Sequence, residues 1–320
     1  MSKQYVIGVD IGGQTTKIGV VDARGNVLEQ SVIRTDTHTD EHLFIRDLTD
    51  ALKPLIEAKG GIGVFKGIGI GAPNGNYYTG TIELAPNLTW GGNKVIKLAE
   101  LVSEKIGLPV ALTNDANAAA VGEMTYGAAK GMKNFIMITL GTGVGSGIVI
   151  NGEVVYGHDG FAGELGHTIQ IRRNGRQCGC GRTGCLEAYT SAIGVARTAR
   201  EMLETSDRKS ILRDLPADDI TSKDVAEAAQ KGDPLALDIF EFTGKILGEA
   251  LADFVAFSSP EAIILFGGLT RSGELIRKPI IEHMNKSLLN LWVGKIRVEF
   301  SQLKESDAAI LGASALGWEL

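Results

Sequence analysis

The sequence predicts an α/β protein with two lobes and a duplicated core. The chain has 320 residues, whereas a single hydrophobic core stops growing at roughly 250–300 residues. Predicted strands and helices alternate along the chain, which is typical of layered α/β proteins. A unit of strand, glycine turn and strand occurs twice, beginning near Tyr5 and near Phe135.

The first copy of this unit lies near the N-terminus. An apolar run, Tyr5–Ile11, ends at Gly12 and Gly13, and a second run, Lys17–Asp22, leads into a polar turn. Short apolar runs bounded by glycine and polar turn residues predict strands. The pattern therefore predicts strand, glycine turn, strand, turn and strand.

The second copy repeats this order. The apolar run Phe135–Leu140 is followed by the glycine loop Gly141–Gly143 and by a strand predicted at Gly147–Ile150. Aligning the two copies places Gly12 opposite Gly141 and keeps both strand pairs in phase. Self-similarity of this kind indicates an internal duplication.

The remaining predicted elements alternate between helix and strand. They are a helix near Glu41–Lys59, a strand at Gly67–Ile70, a helix near Val95–Ile106, a strand at Val110–Leu112, a buried strand at Ala262–Phe266 and a last helix at Asp307–Trp318. The polar stretch 206–219 predicts a surface linker. We expect an N-terminal lobe of residues 1–117 with 306–320, and a C-terminal lobe of residues 118–305.

Composition and charge restrict the possible partners. A hydrophobic fraction of 44% and a charged fraction of 22% are ordinary for a water-soluble protein. No stretch approaches the roughly 18 consecutive apolar residues of a membrane span. The net charge is −6 with scattered lysines and arginines, so we expect no nucleic-acid partner. Without a secretory signal pattern, we expect a cytoplasmic protein that does not bind membranes.

The first glycine turn has the residues of a phosphate and metal site. Asp10 ends a predicted strand, Gly12 and Gly13 let backbone N–H groups approach a phosphate, and Thr15 offers a hydroxyl. Asp10 is a candidate ligand for Mg²⁺. The alternative is a hairpin turn with a solvated Asp10. A P-loop and a dinucleotide fingerprint are excluded, because no helix follows and the spacing differs.

The second glycine turn, Gly141–Gly143, again lies between predicted strands, and Thr142 can donate a hydrogen bond to a phosphate oxygen. Two such loops facing each other would hold a triphosphate. The alternative is a flexible glycine hairpin, which the repeat relationship with the first loop makes less attractive.

A third motif follows the strand predicted at Val110–Leu112. Asn114 and Asp115 come after this strand and open a helix, so either residue suits the N-cap position. With two phosphate loops in the same chain, a carboxylate at a strand end also suits a general base for a hydroxyl nucleophile. Asp115 is therefore the candidate catalytic residue.

All three cysteines lie close together in the sequence, which indicates a metal-binding site. Cys178, Cys180 and Cys185 with His167 supply three thiols and one imidazole, a complete tetrahedral set for structural Zn²⁺. An odd number of cysteines in a reducing compartment makes a disulfide framework a poor explanation. The alternative is three buried cysteines with an unrelated histidine. The flanking carboxylates, Glu164 and Glu187, are suited to accept hydrogen bonds from sugar hydroxyls.

Together these motifs resemble the ROK family of bacterial sugar kinases and repressors, members of the actin-like ATPase superfamily. The resemblance covers essentially the whole chain and is most specific where Gly163–His167 joins Cys178–Ser191. It implies a two-lobed α/β fold with a duplicated ribonuclease-H-like core and an active cleft between the lobes.

The resemblance also implies roles for individual residues. Asp115 would be the general base, and His167 would serve both the sugar and the zinc, with one ring nitrogen for each. ATP, Mg²⁺ and structural Zn²⁺ are the implied cofactors. The implied sugar ligands are Asn74, Gly75, Asn87, Asn114, Glu164, His167 and Glu187. The implied zinc ligands are His167, Cys178, Cys180 and Cys185. Gly267 and Gly268 would form the turn that contacts the adenosine. Gln14 departs from the family's usual threonine, which leaves open the hydroxyl that contacts ATP in the first loop.

The implied function is ATP-dependent phosphorylation of a hexose. The stretch Asn87–Trp90 resembles glucokinases, so glucose to glucose 6-phosphate is favoured, with an N-acetylhexosamine, fructose and allose as alternatives. A non-enzymatic sensor or repressor is the other class. The first core strand begins at Tyr5, so we expect no DNA-binding domain ahead of it, and Asp115 favours an active enzyme. A phosphohydrolase or chaperone of this superfamily would not require the cysteine cluster. By resemblance we expect a homo-oligomer, either a dimer or a tetramer.

Overall fold

The computed structural model describes residues 3–304 and 307–320. The strands are β1 (Tyr5–Ile11), β2 (Thr15–Asp22), β3 (Val27–Arg34), β4 (Phe65–Gly71), β5 (Gly75–Asn76), β6 (Thr81–Glu83), β7 (Val95–Ile96), β8 (Val110–Thr113), β9 (Phe135–Leu140), β10 (Val144–Ile150), β11 (Glu153–Val154), β12 (Ala262–Phe266) and β13 (Arg297–Phe300). The α-helices are α1 (Glu41–Ala58), α2 (Leu98–Ile106), α3 (Asp115–Tyr126), α4 (Glu187–Thr190), α5 (Ala192–Thr205), α6 (Ser222–Gln230), α7 (Pro234–Ser258), α8 (Glu274–Ser287) and α9 (Ala308–Gly317).

Two five-stranded sheets share one topology. Their strand orders are β3-β2-β1-β4-β8 and β11-β10-β9-β12-β13. In the first sheet β1 pairs antiparallel with β2 and parallel with β4, and in the second β9 pairs parallel with β12. The two orders match position by position, which confirms the duplication predicted from the glycine turns.

Most predicted elements are confirmed, with corrections to the bounds of several, among them β4, which begins at Phe65 instead of Gly67. The helix predicted near Val95–Ile106 begins at Leu98, because Val95 and Ile96 pair with β6 as the short strand β7. β2 begins at Thr15, two residues before the predicted strand. β10 begins at Val144, three residues before the strand predicted at Gly147–Ile150, so Gly145 belongs to the strand and the second glycine turn is shorter than predicted. The predicted linker at 206–219 contains two short 3-10 turns, Ile211–Asp214 and Ala217–Asp219.

The chain divides into two compact units. The first comprises the described residues of Met1–Met132, Gly147–Gly163 and Ser301–Leu320, and the second comprises Lys133–Ser146 and Glu164–Phe300. The predicted division was an N-terminal lobe of residues 1–117 with 306–320 and a C-terminal lobe of residues 118–305. This division remains a prediction. Residue 117 lies inside α3, a single helix of the first unit. The second predicted boundary, between residues 305 and 306, lies outside the described residues.

In the first unit, α9 packs directly on the first sheet. A methyl group on Gly8 of β1 would lie 2.1 Å from the carbonyl oxygen of Ile310, and one on Gly69 of β4 would lie 1.8 Å from that of Ala313. Only glycine permits this approach of helix backbone to strand backbone. A separate core packs α1 and α2 around the buried side chains of Phe44, Leu48 and Leu52, Ile68 and Val102 among others.

In the second unit, a core of aliphatic and aromatic side chains surrounds α7. Phe240, Leu247 and Leu251 on this helix are almost completely buried, as are Ile263 and Leu265 of β12. Gly244 of α7 lies against Pro279 of α8, which brings the two helices close together. Across the described residues, no helix is both long enough and apolar enough to cross a membrane.

Candidate active site

The carboxyl ends of three parallel strands meet at one edge of the first sheet. Asp10 of β1 is the register partner of Gly71 in β4, and Gly71 is in turn the partner of Thr113 in β8. Ligands of open α/β sheets bind outside this edge. The strand order therefore brings two motifs that are far apart in sequence, at Asp10 and just after Thr113, to the same edge.

Asn114 and Asp115 have different roles at the start of α3. Asn114 is the N-cap, since its Oδ1 accepts a hydrogen bond from the backbone N–H of Asn117 at 2.7 Å. Asp115 is the first residue of the helix, and its Oδ1 accepts the N–H of Ala116 at 2.8 Å. The N-cap alternative thus applies to Asn114, and Asp115 presents its carboxylate from the first turn of α3.

The carboxylates of Asp10 and Asp115 both have raised pKa values. Burial, together with the negative charge of Asp115, raises the pKa of Asp10 from 3.8 to about 6, against the opposing effect of Lys17. The Asp115 side chain retains solvent contact, but protein atoms packed around its carboxylate reduce its hydration and raise its pKa. A raised pKa suits a general base that must accept a proton near neutral pH. Asp10 offers the hard oxygen ligands that Mg²⁺ prefers.

The first glycine turn is tight, and the structure distinguishes its two hydroxyls. The N–H of Gly12 donates to the carbonyl of Thr15 at 3.0 Å. The hydroxyl of Thr16 is buried and hydrogen-bonded to that of Thr35 at 2.8 Å, so it is already used inside the protein. Thr15 is half-buried. Of the two adjacent threonines, Thr15 is therefore the better phosphate donor.

The turn also lies close to a predicted sugar segment. A methyl group on Gly13 would lie 3.0 Å from the carbonyl oxygen of Asn87. The side chain of Asn87 is exposed, whereas nearby Trp90 is buried and stacks on Phe44 with ring centroids 4.4 Å apart. The buried tryptophan anchors the segment, and Asn87 stays accessible beside the glycine turn.

Asn74 and Gly75 lie beside β8. A methyl group on Gly75 would lie 2.4 Å from the carbonyl oxygen of Thr113, two residues before Asp115. Asn74 is exposed, adopts a left-handed conformation with φ of 51°, and donates from Nδ2 to the carbonyl of Leu84 at 2.9 Å. In the first unit the fold thus gathers Asn74 and Gly75 beside the strand that leads to Asn114 and Asp115.

The cysteine cluster in the second unit has the geometry of a metal site. Ligand atoms of His167, Cys178, Cys180 and Cys185 all lie within 4.8 Å of one another. The sulfurs of Cys180 and Cys185 are 3.7 Å apart, which matches the edge of a tetrahedron with Zn–S bonds of about 2.3 Å. Burial raises the pKa of the Cys178 thiol to about 12 and also raises that of Cys185. A bound cation would offset this cost of thiolate formation, so the donor set fits Zn²⁺.

Tight turns bring the sulfurs together. Gln177 pairs with Thr183 across a short hairpin, and the N–H of Cys178 donates to the carbonyl of Arg182 at 2.8 Å. Gly181 and Gly184 have φ values of 85° and 81° in the left-handed region. We call residues 178–185 the cysteine knuckle.

Glu187 connects the cysteine knuckle to the second glycine turn. Its Oε2 accepts the N–H of Val144 at 2.9 Å, and a methyl group on Gly143 would lie 2.5 Å from this oxygen. Its Oε1 lies 3.5 Å from the sulfur of Cys178. Nδ1 of His167 faces the same sulfur at 3.9 Å, so the other ring nitrogen, Nε2, is the one left for a second ligand. Glu164 is exposed at the start of the 3-10 turn that carries His167.

A cavity beside the second glycine turn has the size of a nucleotide site. Its volume is about 510 Å³, and its lining includes Gly141, Thr142 and Gly268. Gly267 has a φ of 105°, and a methyl group there would lie 2.6 Å from the carbonyl oxygen of Leu140. The ends of β9 and β12 therefore lie side by side, which brings the second glycine turn, Gly141–Gly143, next to Gly267 and Gly268.

One wall of this cavity was not predicted from the sequence. α6 contributes the side chains of Ser222, Lys223, Glu227 and Gln230, and Arg271 follows the Gly267–Gly268 turn. Nothing in the local sequence of α6 marks these residues, because they form an ordinary amphipathic helix. Only the packing of α6 against the turn brings them to the cavity.

Comparison with known proteins gives consistent matches over the full length. The family model described as "ROK family" matches residues 6–319. A glucokinase of Halalkalibacterium halodurans is 36% identical over 99% of this chain and 95% of its own length. A glucokinase of Streptomyces coelicolor is 37% identical over 98% of this chain and 97% of its own length.

A solved structure agrees with these relatives. The ROK family glucokinase of Streptomyces griseus, in complex with glucose and AMPPNP, is 34% identical, with a TM-score of 0.79 over 99% of this chain and 100% of that one. The match confirms the predicted actin-like ATPase fold class. Because the family model spans nearly the whole sequence and the relatives are aligned from end to end, the chain belongs to the ROK family.

Proposed function

We propose that this protein transfers the γ-phosphoryl group of ATP to the 6-hydroxyl of glucose, producing glucose 6-phosphate and ADP. The observation that carries the proposal is the placement of Asp115, with its raised pKa, at the first position of α3 beside the ligand-binding edge of the sheet. The two aligned glucokinases and the glucose-bound structure support glucose as the sugar.

Asp115 acts as the general base. Its carboxylate accepts the proton of the sugar hydroxyl as the new O–P bond forms, and the bond from the γ-phosphorus to the bridging oxygen of ADP breaks. The hydrogen bond from the N–H of Ala116 holds one carboxylate oxygen in place, and the other faces the proton to be removed. Catalysis of this kind depends mainly on positioning and charge stabilisation.

Residues of the first and second glycine turns donate hydrogen bonds to ATP. Gly12, Gly13 and Thr15 supply backbone and hydroxyl donors in the first turn, and Gly141, Thr142 and Gly143 supply them in the second. The cavity lined by Gly268 takes the adenosine, with Gly267 shaping its wall. Asp10 holds Mg²⁺, which supplies charge neutralisation for the phosphates when bound.

Sugar recognition uses ligands from several segments, with the zinc site as their support. His167, Cys178, Cys180 and Cys185 hold Zn²⁺, whose role is structural. The zinc keeps the backbone around His167 and Glu187 in place, so these two side chains and Glu164 present fixed acceptors to sugar hydroxyls. The other sugar ligands are Asn74, Gly75, Asn87 and Asn114. The proposed setting is a cytoplasmic homo-oligomer, either a dimer or a tetramer.

A sugar panel tests the proposal. Initial rates of ADP release are measured with glucose, N-acetylmannosamine, N-acetylglucosamine, fructose and allose, each over a range of concentrations. Glucose should give the highest kcat/KM. A higher value for an N-acetylated hexosamine would replace glucose as the substrate and leave the kinase mechanism in place, whereas release that is independent of every sugar would refute both.

A further inference from the structure

Three consecutive residues, Asn76–Tyr78, hold a segment that lies far away in the sequence. Nδ2 of Asn76 donates to the carbonyl of Asp159 at 2.8 Å, across 83 residues. The hydroxyl of Tyr78 donates to the carbonyl of Gly157 at 2.9 Å, and the ring of Tyr77 stacks on that of Tyr156 with centroids 4.1 Å apart. We call Asn76–Tyr78 the clasp.

Asn76 is the buried centre of the clasp, with 4% of its surface exposed. Besides its bond to Asp159, Nδ2 donates to Oε1 of Glu83 at 3.1 Å. Oδ1 accepts the backbone N–H groups of Tyr78 at 3.0 Å and Thr79 at 3.4 Å. Both donors and the acceptor of the amide are thus used, and a fully satisfied buried polar network fixes one geometry.

Gly160 shows how closely the held segment approaches Asn76. Its φ is 92°, and a methyl group on it would lie 2.5 Å from Oδ1 of Asn76. No other residue type fits this backbone conformation and this distance without a shift. The segment Tyr156–Gly160 therefore lies directly against the amide of Asn76.

The clasp and the segment that it holds each lie close in sequence to proposed sugar ligands. Asn74 and Gly75 precede Asn76 directly, and Asp159 lies shortly before Glu164 in the chain. We propose that Asn76 is a positioning residue for sugar recognition, because its donors hold the segment that leads into Glu164. This inference rests on the proposed function, in which Glu164 binds the sugar.

The substitution Asn76→Asp separates the two roles of the amide. An aspartate keeps the acceptor for the N–H groups of Tyr78 and Thr79, so the local turn is retained. It loses both donors, so the bond to the carbonyl of Asp159 is lost and a carboxylate faces Glu83. Asn285→Asp is the matched control, since Asn285 also donates from Nδ2 to a carbonyl, that of Ile281, and accepts the N–H of Gly294.

Kinetics and hydrogen exchange give independent readouts. Asn76→Asp should raise the KM for glucose about tenfold or more, with the KM for ATP and kcat each changed by less than about threefold. Backbone amides in the segment 157–163 should exchange faster with deuterium than in the wild type. Asn285→Asp should change neither the KM for glucose nor this exchange.

Tyr78→Phe covers the case in which Asn76→Asp does not fold. It removes only the hydroxyl that bonds to Gly157, at a side chain that is 59% exposed. It should raise the KM for glucose in the same direction, by roughly threefold. An unchanged KM for glucose in folded variants, or equal increases in the KM for glucose and for ATP, would overturn the proposal.

The exchange measurement separates failure of the clasp from failure of the proposed function. It needs no activity, so unchanged exchange in Asn76→Asp would overturn the clasp whatever the substrate is. If the wild type phosphorylates a different sugar, the KM for that sugar replaces the KM for glucose. If it phosphorylates none, the proposed function fails, and a role in sugar recognition fails with it.

Discussion

The carboxylate of Glu187 accepts a hydrogen bond from the backbone N–H of Val144 at 2.9 Å. This bond joins the start of α4, which follows the cysteine knuckle, to the second glycine turn. The same oxygen lies 2.5 Å from the position that a methyl group on Gly143 would take. A proposed sugar ligand and a proposed phosphate loop are thus in direct contact within the second unit.

Gly143→Ala tests this contact. The added methyl group must displace Glu187 or the turn, so kcat/KM for glucose should fall by about tenfold or more. Gly63→Ala is the matched control, because no atom lies within 4 Å of a methyl group there. Steady-state kinetics on both variants measure the effect. Near-native activity of Gly143→Ala would show that the contact is not needed.

Asp115→Asn tests the general base. Asparagine keeps the size of the side chain and an oxygen that accepts the N–H of Ala116, but it does not accept the substrate proton. Turnover should fall by at least about 10²-fold, as is usual when a general base is lost. The Kd for glucose, measured by calorimetry, should change little. Asp253→Asn, at an exposed carboxylate on α7, serves as a control. A turnover of Asp115→Asn close to that of the wild type would rule out this role.

Zinc content tests the cysteine knuckle. Protein purified without chelator should contain about one zinc ion per chain, and Cys180→Ser should lower both the zinc content and the melting temperature, because a structural zinc ion contributes folding free energy. Metal analysis and thermal unfolding measure these changes. A wild-type protein that is folded and free of zinc would refute the assignment.

The raised pKa of Asp10 predicts a pH dependence of stability. Its pKa is 3.8 in an ordinary environment and about 6 in the folded protein. Between these values the folded state binds more protons than the unfolded state, so the contribution of Asp10 to stability falls as the pH rises from about 4 to about 6. Above that range the cost of the ionised, half-buried carboxylate is fully present, at about 2–3 kcal/mol.

Asp10→Asn removes this dependence. Without Mg²⁺, the melting temperature of the variant relative to the wild type should increase between pH of about 4 and about 6 and then level off. Thermal unfolding of both proteins in matched buffers gives this difference. A difference that stays constant over the range would contradict the raised pKa.

The sequence predicted those parts of the site that depend on local spacing. The zinc ligands lie close together in the chain, and the glycines between the thiols mark tight turns, so residue types alone identified the cluster. Apolar runs ending at glycine turns predicted β1, which carries Asp10, and β9, which leads into the turn that carries Thr142. The duplicated topology followed from the same pattern repeated in phase.

Contacts between distant segments could not be predicted in this way. Thr15 and Thr16 face opposite sides of β2, and only the pairing of Thr16 with Thr35 shows which hydroxyl is buried. The bond from Asn76 to Asp159 spans 83 residues. No local periodicity encodes such a contact, which exists only once the strands have assembled.

Phosphorus NMR of the reaction products tests the proposed activity most directly. With the wild-type protein, ATP, Mg²⁺ and glucose, the spectrum should show glucose 6-phosphate and ADP forming in equal amounts, and neither should form when glucose is left out. Release of inorganic phosphate in place of a sugar phosphate, or no consumption of ATP by folded and zinc-loaded protein, would contradict the assignment of this chain as an ATP-dependent glucose kinase.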